Sequence, residues 1–416
     1  MTRTQSVAPP STLLLGALTA LTALSIDMSL PALPSLSRTF HAPAAEAQLT
    51  LSLFLIGYAI SQVICGPLSD AYGRRPVLLA GLIVFTIAGA GCLLSQSLPM
   101  LIAMRVLQGI GASAGPIVAR AIVRDTYDKS HAAAVFSHIT QVMILAPVLA
   151  PALGGLLMAK SSWHSIFAVL ALAGLLVTVI TFITLRETHA TAHPDAVRSA
   201  TLIGSYRAFL SDRASVAQAF VLCFAYCGLF AYVSGSPFVL MDVYGIPRIH
   251  FGFYFGAAAL ALLAGATVNK SLIHRGNSPE RLLQGGVGLL AVAGAAVLAG
   301  SYAHGLGVWS VLIPIALYLF AMGIVAPHAT AAAMHPFPKI AGVISSLVGG
   351  MQTLGGGLSG SLVGALYNHT AHPMGGVMCA MGIAAFAAYE VARWTGRRED
   401  GEKETQRDLV RGGRQS

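Results

Sequence analysis

The chain has 416 residues, of which 55% are hydrophobic and only 10% charged, at a mean hydropathy of +0.72. Soluble domains carry about 25% charged residues, so this composition excludes an ordinary soluble domain and fits a chain that crosses a membrane many times. The net charge of +9 would suggest nucleic acid on a soluble protein, but the placement of the charges gives it another origin.

A membrane-crossing helix needs about 20 mostly apolar residues. Twelve such stretches follow one another, at 12–34, 48–69, 77–96, 99–122, 133–158, 163–185, 215–240, 250–272, 281–301, 307–331, 340–366 and 373–394. The first, behind Arg3, mimics a signal peptide, but further spans follow at once and it is read as uncleaved. A polar connection, 186–214, separates a six-span half at 12–185 from another at 215–394. Residues 1–11 form a short cytoplasmic lead, and the charged tail 395–416 is expected to be disordered. The expected fold is an all-α membrane protein of two six-helix bundles around a central cavity.

Orientation follows from the basic residues, which gather on cytoplasmic loops. With the N-terminus inside, 21 of the 25 Lys and Arg fall on the cytoplasmic side, and Arg38, Lys160 and Arg248 fall outside. This asymmetry accounts for the net charge without nucleic acid and places both termini in the cytoplasm. A shift of 203 residues lays Gly73 on Gly276, Pro76 on Pro279, Pro34 on Pro237 and Gly154 on Gly357, a faded repeat of the two halves.

Two ionisable residues stand inside spans. Asp27 interrupts "LTALSIDMSLPALP" (21–34), and Arg105 opens "RVLQGIGASAGP" (105–116). A charge in a span costs roughly 2.5–3.5 kcal/mol on insertion scales, and such residues usually face a bundle interior or a water-filled cavity. At ~1.5 Å per residue both lie roughly 10 Å below the outer surface. The matched depth makes Asp27 a candidate partner for Arg105; Gln108 or backbone carbonyls are the alternatives. A carboxyl at this level can take up and release a proton, whereas a fixed ion pair would only order the helices.

Three further stretches stand out. In "GPLSDAYGRRPVLL" (66–79) Gly66 and Gly73 permit close backbone approach, and Asp70 can pair with Arg74 or Arg75, a cluster able to lock the cytoplasmic side. The matching loop of the second half has Ile273 where Asp70 stands. "APVLAPALGGLL" (146–157) places Pro147, Pro151, Gly154 and Gly155 on one helix. Proline bends it and small residues admit a neighbouring helix, as a seal between halves or as ordinary close packing. In the seventh span Phe220 and Phe224 share one face, and Tyr226 and Phe230 another. With Tyr58, Gln62 and Gln108, Tyr226 and Phe230 are candidates for lining a substrate cavity, since aromatics suit flat or cationic organic ligands. His138 and His328 read as helix-end residues able to relay protons or simply to hydrogen-bond. The five cysteines, Cys65, Cys92, Cys223, Cys227 and Cys379, all lie in apolar runs and read as small core residues. No zinc-protease, nucleotide-loop or serine-hydrolase motif occurs.

The loop 66–79 closely resembles the G-x-L-x-D-x-x-G-R-[RK] signature of the major facilitator superfamily. "RVLQG" and "APVLAPALGG" resemble its twelve-span drug/proton antiporters. "LSIDMSLPALPSL" and "VSGSPFVLMDVYG" resemble the Bcr/CflA branch, which holds bicyclomycin and chloramphenicol resistance exporters. The resemblance covers about residues 10–395. It implies proton-coupled export, with Asp27 as proton or substrate-charge partner and Arg105 in the fourth-span role. Gly66, Asp70, Gly73, Arg74 and Arg75 take the loop roles, and Pro147, Pro151, Gly154 and Gly155 the seal. Many members have tyrosine where this chain has Ser29, which leaves the cargo open.

The expected function is therefore export of a small amphipathic compound across a bacterial inner membrane in exchange for protons. The protein is expected to be a monomer in lipid without a resident cofactor or metal, and not an enzyme. A proton-coupled exporter of a sugar or amino acid, an uncoupled facilitator and a transport-inactive sensor are the alternatives.

Overall fold

The computed structural model describes residues 10–188, 199–338 and 340–412. The expectations for Arg3 and the rest of 1–9, for the linker centre 189–198, for Lys339 and for 413–416 lie outside the described residues.

Twelve long helices follow the order read from the sequence. Spans 1 to 6 are Thr12–Thr39, Ala44–Tyr72, Arg74–Leu93, Leu98–Thr126, Lys129–Lys160 and His164–Thr184. Spans 7 to 12 are Arg213–Val243, Arg248–His274, Pro279–Tyr302, Trp309–Met334, Ala341–Leu366 and His372–Gly412. Eleven are long and apolar enough to cross a bilayer by composition alone. Span 11 is the other. Its core, "VGGMQTLGGGLSG", is diluted by glycine because it packs against the opposite half rather than against lipid. Many bulky side chains elsewhere point outward, among them Leu172, Ile183 and Phe253. On a water-soluble protein they would form an aggregating surface; here they meet acyl chains.

Helix starts follow local chemistry. Asp128 Oδ1 accepts from His131 N at 2.8 Å at the start of span 5, and Asp212 Oδ1 accepts from Ser215 N at 2.8 Å at the start of span 7. Each carboxylate satisfies an orphan amide and complements the positive helix end.

The faded repeat has a structural counterpart. Gly73 and Gly276 both sit in left-handed backbone, at φ +99° and +85°, where the chain turns from span 2 to 3 and from span 8 to 9. Pro34 and Pro237 both mark irregular backbone. Span 1 passes through a tight turn at Leu30–Ala32 before resuming at Leu33. Span 7 widens over Phe238–Val243 beyond Pro237.

Within the connection 186–214, Ser199–Ser211 forms a helix. One expectation needs correction. The last helix continues to Gly412 instead of giving way to disorder at 395. That stretch is rich in Glu, Lys, Gln and Arg, which extend a helix readily even where nothing is buried.

Three seams join the halves: span 1 with span 7, span 2 with span 11, and span 5 with span 8. The 1–7 and 5–8 seams meet at the end remote from the termini, called here the far end, whereas the 2–11 seam runs on to Gln62 and Gly349. At the end that carries the termini lie two cavities of about 330 and 370 Å³, both lined by Met334; residues of both halves line the first and residues of the C-terminal bundle the second.

Candidate functional site

Arg105 is 1% exposed, among the most deeply buried large side chains. Every donor edge of its guanidinium is used. Nε donates to Thr50 O at 3.1 Å, Nη1 to Gln108 Oε1 at 2.7 Å, and Nη2 to Ser25 O at 3.1 Å and Ser29 Oγ at 3.5 Å. The cation also lies 4.3 Å from the centre of the Phe54 ring, an added attraction in a dry site. Arg105 thus ties spans 1, 2 and 4 into one unit.

Asp27 is not among its partners. The depth inferred from sequence holds, since Arg105 grips Ser25 and Ser29, which bracket Asp27. The direction differs. Residues four apart share a helix face, and the residue midway between them points away. Asp27 is 6% exposed and is turned to the seam between halves, within electrostatic reach of Tyr232 on span 7. Its carboxylate has no hydrogen bond or ion pair among the described residues. The Tyr232 hydroxyl is likewise buried without a partner. Neither of the two cavities at the termini end is lined by Asp27.

Gln108 requires a correction. It is fully buried and serves Arg105, so it does not line a cavity. Of the other cavity candidates, Tyr58 and Phe230 line neither of the two cavities. Gln62 lines the smaller cavity and Tyr226 the larger. Tyr226 stacks on Phe230 at 6.4 Å between ring centres, and Tyr58 lies within electrostatic reach of Tyr226. His328 Nε2 is 2.7 Å from Asn269 Oδ1, which holds it as a bridge between spans 10 and 8. His138 is exposed. All five cysteines are free.

The seal residues of span 5 reach two neighbours. A Cβ at Gly154 would stand 3.0 Å from Pro31 Cγ of span 1, and one at Gly155 would stand 2.5 Å from Arg248 O of span 8. From the other side Gly252 of span 8 leaves room for Ala152. Of the four residues read from the sequence, Gly155 thus faces the opposite half, whereas Gly154 packs within its own.

The loop between spans 2 and 3 is an ionic knot. Arg74 is buried, with Nε donating to Asp125 Oδ2 at 2.8 Å and Nη1 to Ser69 Oγ at 2.7 Å, and it pairs with Asp70. Glu187, beyond span 6, caps span 3 by accepting from Arg74 N at 3.0 Å and Arg75 N at 3.1 Å. Arg75 Nη2 donates to Phe182 O at 2.9 Å. These partners lie in the N-terminal bundle and, for Glu187, just beyond its last span, so the contacts named here brace one half. Gly66 is corrected as well. It lies inside span 2 with open space where its Cβ would be, and only Gly73 makes the turn.

Sequence reasoning missed the polar pairs that cross the seams. Ser234 Oγ donates to Gln48 Oε1 at 3.0 Å between spans 7 and 2, and Arg38 meets Asp242 at the far end. Beside Asp242, burial first and then that carboxylate push the Tyr367 hydroxyl up to about 12, so it stays neutral. These residues sit at span ends or in polar runs, and only the packing of distant spans brings them together.

The comparisons with known proteins agree with this architecture. Residues 15–360 match the model of the Major Facilitator Superfamily. The chain belongs to the major facilitator superfamily. It is similar to the uncharacterized MFS-type transporter YdgK of Bacillus subtilis, at 35% identity over 90% of this chain and 93% of that one. It is also similar to a bicyclomycin resistance protein homolog of Haemophilus influenzae, at 28% identity over 91% and 94%. Among solved structures, a bacterial homolog of the human lysosomal transporter Spinster, inward-facing and unoccupied, matches with a TM-score of 0.72 at 16% identity, over 93% and 96% of the two chains. That likeness speaks to the fold. This major facilitator is a multi-pass membrane transporter and not an enzyme.

Proposed function

We propose that this transporter exports small amphipathic organic compounds from the bacterial cytoplasm across the inner membrane in exchange for protons. The observation that carries the reading is Asp27, a carboxyl buried at the seam of the two halves with no cation paired to it. Such a group gains or loses a proton without breaking an ion pair. The relative named for bicyclomycin resistance supports a drug-like cargo. The basic loops support cytoplasmic termini, so the cavities at that end open inward.

Alternating access then gives the cycle. Cargo enters from the cytoplasm between Tyr58, Gln62, Tyr226 and Phe230. Rocking parts the far-end seams of spans 1–7 and 5–8 and brings Asp27 into contact with outer water. Protonation there removes the charge, cargo leaves, and the neutral seam closes again. The proton is shed inward once the halves have rocked back. The protein works as a monomer in lipid, with protons as coupling ion and no resident cofactor.

Proteoliposomes carrying the purified protein and an imposed proton gradient test this reading. Uphill movement of a lipophilic dye should require the gradient and vanish in Asp27→Asn. Gradient-driven transport that survives Asp27→Asn would overturn the coupling role.

A further inference from the structure

The cavity of about 330 Å³ at the cytoplasmic end lies between the halves, and two arginines of span 4 line it. Ile117, Arg120 and Arg124 follow at helical spacing and so share one face. Arg120 spends only its Nε, on Pro116 O at 2.9 Å within its own helix. Arg124 has no hydrogen bond or ion pair among the described residues. No acidic side chain lines the cavity. Two guanidiniums therefore project into one water-filled space without a counter-anion.

Two further features meet them there. Span 11 starts at Ala341 with no side-chain cap on its first amides, and Gly342 would bring a Cβ to 3.8 Å from Arg124 Nη1. The positive end of a helix thus faces a cation, an arrangement that an anion between them relieves. Opposite lies Gln62, 9% exposed. Its Oε1 accepts from Thr353 Oγ1 at 3.4 Å, and its Nε2 has no acceptor among the described residues. The Arg120 and Arg124 guanidiniums and Gln62 Nε2 thus leave donors unused at this mouth.

We propose that the mouth is a binding site for an acidic group, a carboxylate or a sulfonate, on an otherwise flat apolar cargo. This deepens the export reading above and rests on it. The acid lies between Arg120, Arg124 and Gln62, and Ser345 on the same wall supplies a hydroxyl. Arg120 is within electrostatic reach of Tyr58 and Tyr226, so the apolar body extends inward onto the Tyr226–Phe230 stack. The site leaves proton chemistry undisturbed. At ~1.5 Å per residue the climb from Arg105, level with Asp27, to Arg120 is about 22 Å, well beyond a Debye length of roughly 8 Å in physiological salt.

Fluorescein and rhodamine 6G share a xanthene plane but carry opposite charge, and their fluorescence anisotropy with purified protein in neutral detergent tests the site. Wild type should bind fluorescein, and Arg120→Gln with Arg124→Gln should weaken that binding at least tenfold. Arg→Lys at both positions should recover part of it. Rhodamine 6G, a cation, should bind the Gln variants no more weakly than wild type, and an unchanged thermal unfolding midpoint should show that they are folded. Fluorescein that does not bind wild type, or that binds the Gln variants equally well, overturns the proposal. So does displacement of bound fluorescein by stoichiometric phosphatidylglycerol, which would make the arginines a lipid-headgroup site. The two readings fail separately. Arginine-dependent fluorescein binding without gradient-driven flux sinks the antiport reading and leaves the site. Gradient-driven rhodamine flux without arginine-dependent fluorescein binding does the reverse.

Discussion

Arg38 of span 1 donates from Nη2 to Asp242 Oδ1 of span 7 at 3.2 Å, an ion pair that joins the two bundles across the far end. Both groups are partly in water, with side chains 60% and 34% exposed. Exposed pairs contribute only about 0.2–1 kcal/mol, so this latch biases the cycle without deciding it. Asp242→Asn should raise the far-open population by no more than about fivefold, a limit set by ~1.4 kcal/mol per factor of ten. Spin-label distances between the far ends of spans 5 and 8 would show it. High salt should produce the same shift in wild type and none in the variant. The swap Arg38→Asp with Asp242→Arg should restore the wild-type distribution. Equal salt sensitivity in wild type and variant would remove the pair from the account.

Arg105 and Asp27 should separate in a stability measurement. The guanidinium donates to Gln108, to Ser29 and to two carbonyls in a dry site. Lysine keeps the charge but cannot reproduce the planar fork, and each lost hydrogen bond from a charged group costs roughly 1.5–3 kcal/mol. Arg105→Lys should therefore lower the thermal unfolding midpoint in detergent by several degrees. Asp27→Asn should leave the midpoint where it is, since no partner is stranded. A marked drop in Asp27→Asn would mean that the two charges pair after all.

The fate of these two residues shows where sequence reading works and where it stops. Span number, order and approximate ends were legible because about 20 apolar residues and basic loops are strong one-dimensional signals. Depth was legible too, because helix rise is constant; Arg105 does contact span 1 at the level of Asp27. Azimuth was not. Which face of span 1 meets span 4 depends on how five neighbours pack, and that choice turned Asp27 toward Tyr232. Gln108 was misplaced for the same reason. The glycines of span 5 were legible as points of close helix approach, because such approach demands small residues, but which of them faces the other half was not. Gln48–Ser234 and the unpaired Arg120 and Arg124 carry no local signature, since their meaning lies in what stands across a seam 100 or more residues away.

The far-end seal predicts a sharp contrast between two glycines. A Cβ at Gly155 would meet the backbone oxygen of Arg248 at 2.5 Å, and a backbone cannot swing aside as a side-chain tip can. Gly155→Leu should prevent spans 5 and 8 from closing. The protein should still reach the membrane, but it should stay far-open and export nothing. Cysteines placed near Arg248 should then react with a membrane-impermeant maleimide from outside. Gly66→Ala, with open space around the site, should transport as wild type. Normal export by Gly155→Leu would remove the seam from the mechanism.

The knot at the span 2–3 turn yields a graded prediction. Glu187 holds two backbone amides at the start of span 3, and its charge opposes the helix dipole. It is exposed, so Glu187→Gln, which keeps an acceptor, should cost only about 0.3–1 kcal/mol. Gly73→Ala is a different matter. It forces a side chain into backbone at φ +99° and brings its Cβ to 2.6 Å from Glu187 Oε2. Left-handed backbone alone costs a non-glycine residue roughly 1–2 kcal/mol, and here the cap is displaced as well. The alanine variant should therefore unfold at a lower temperature than the glutamine one. Glu187→Gln should partly relieve Gly73→Ala when the two are combined, because a neutral amide leaves the cap more easily than a carboxylate held by two amides. Strictly additive midpoints across that double-mutant cycle would show that the clash with Glu187 contributes nothing, leaving the backbone angle as the whole cost.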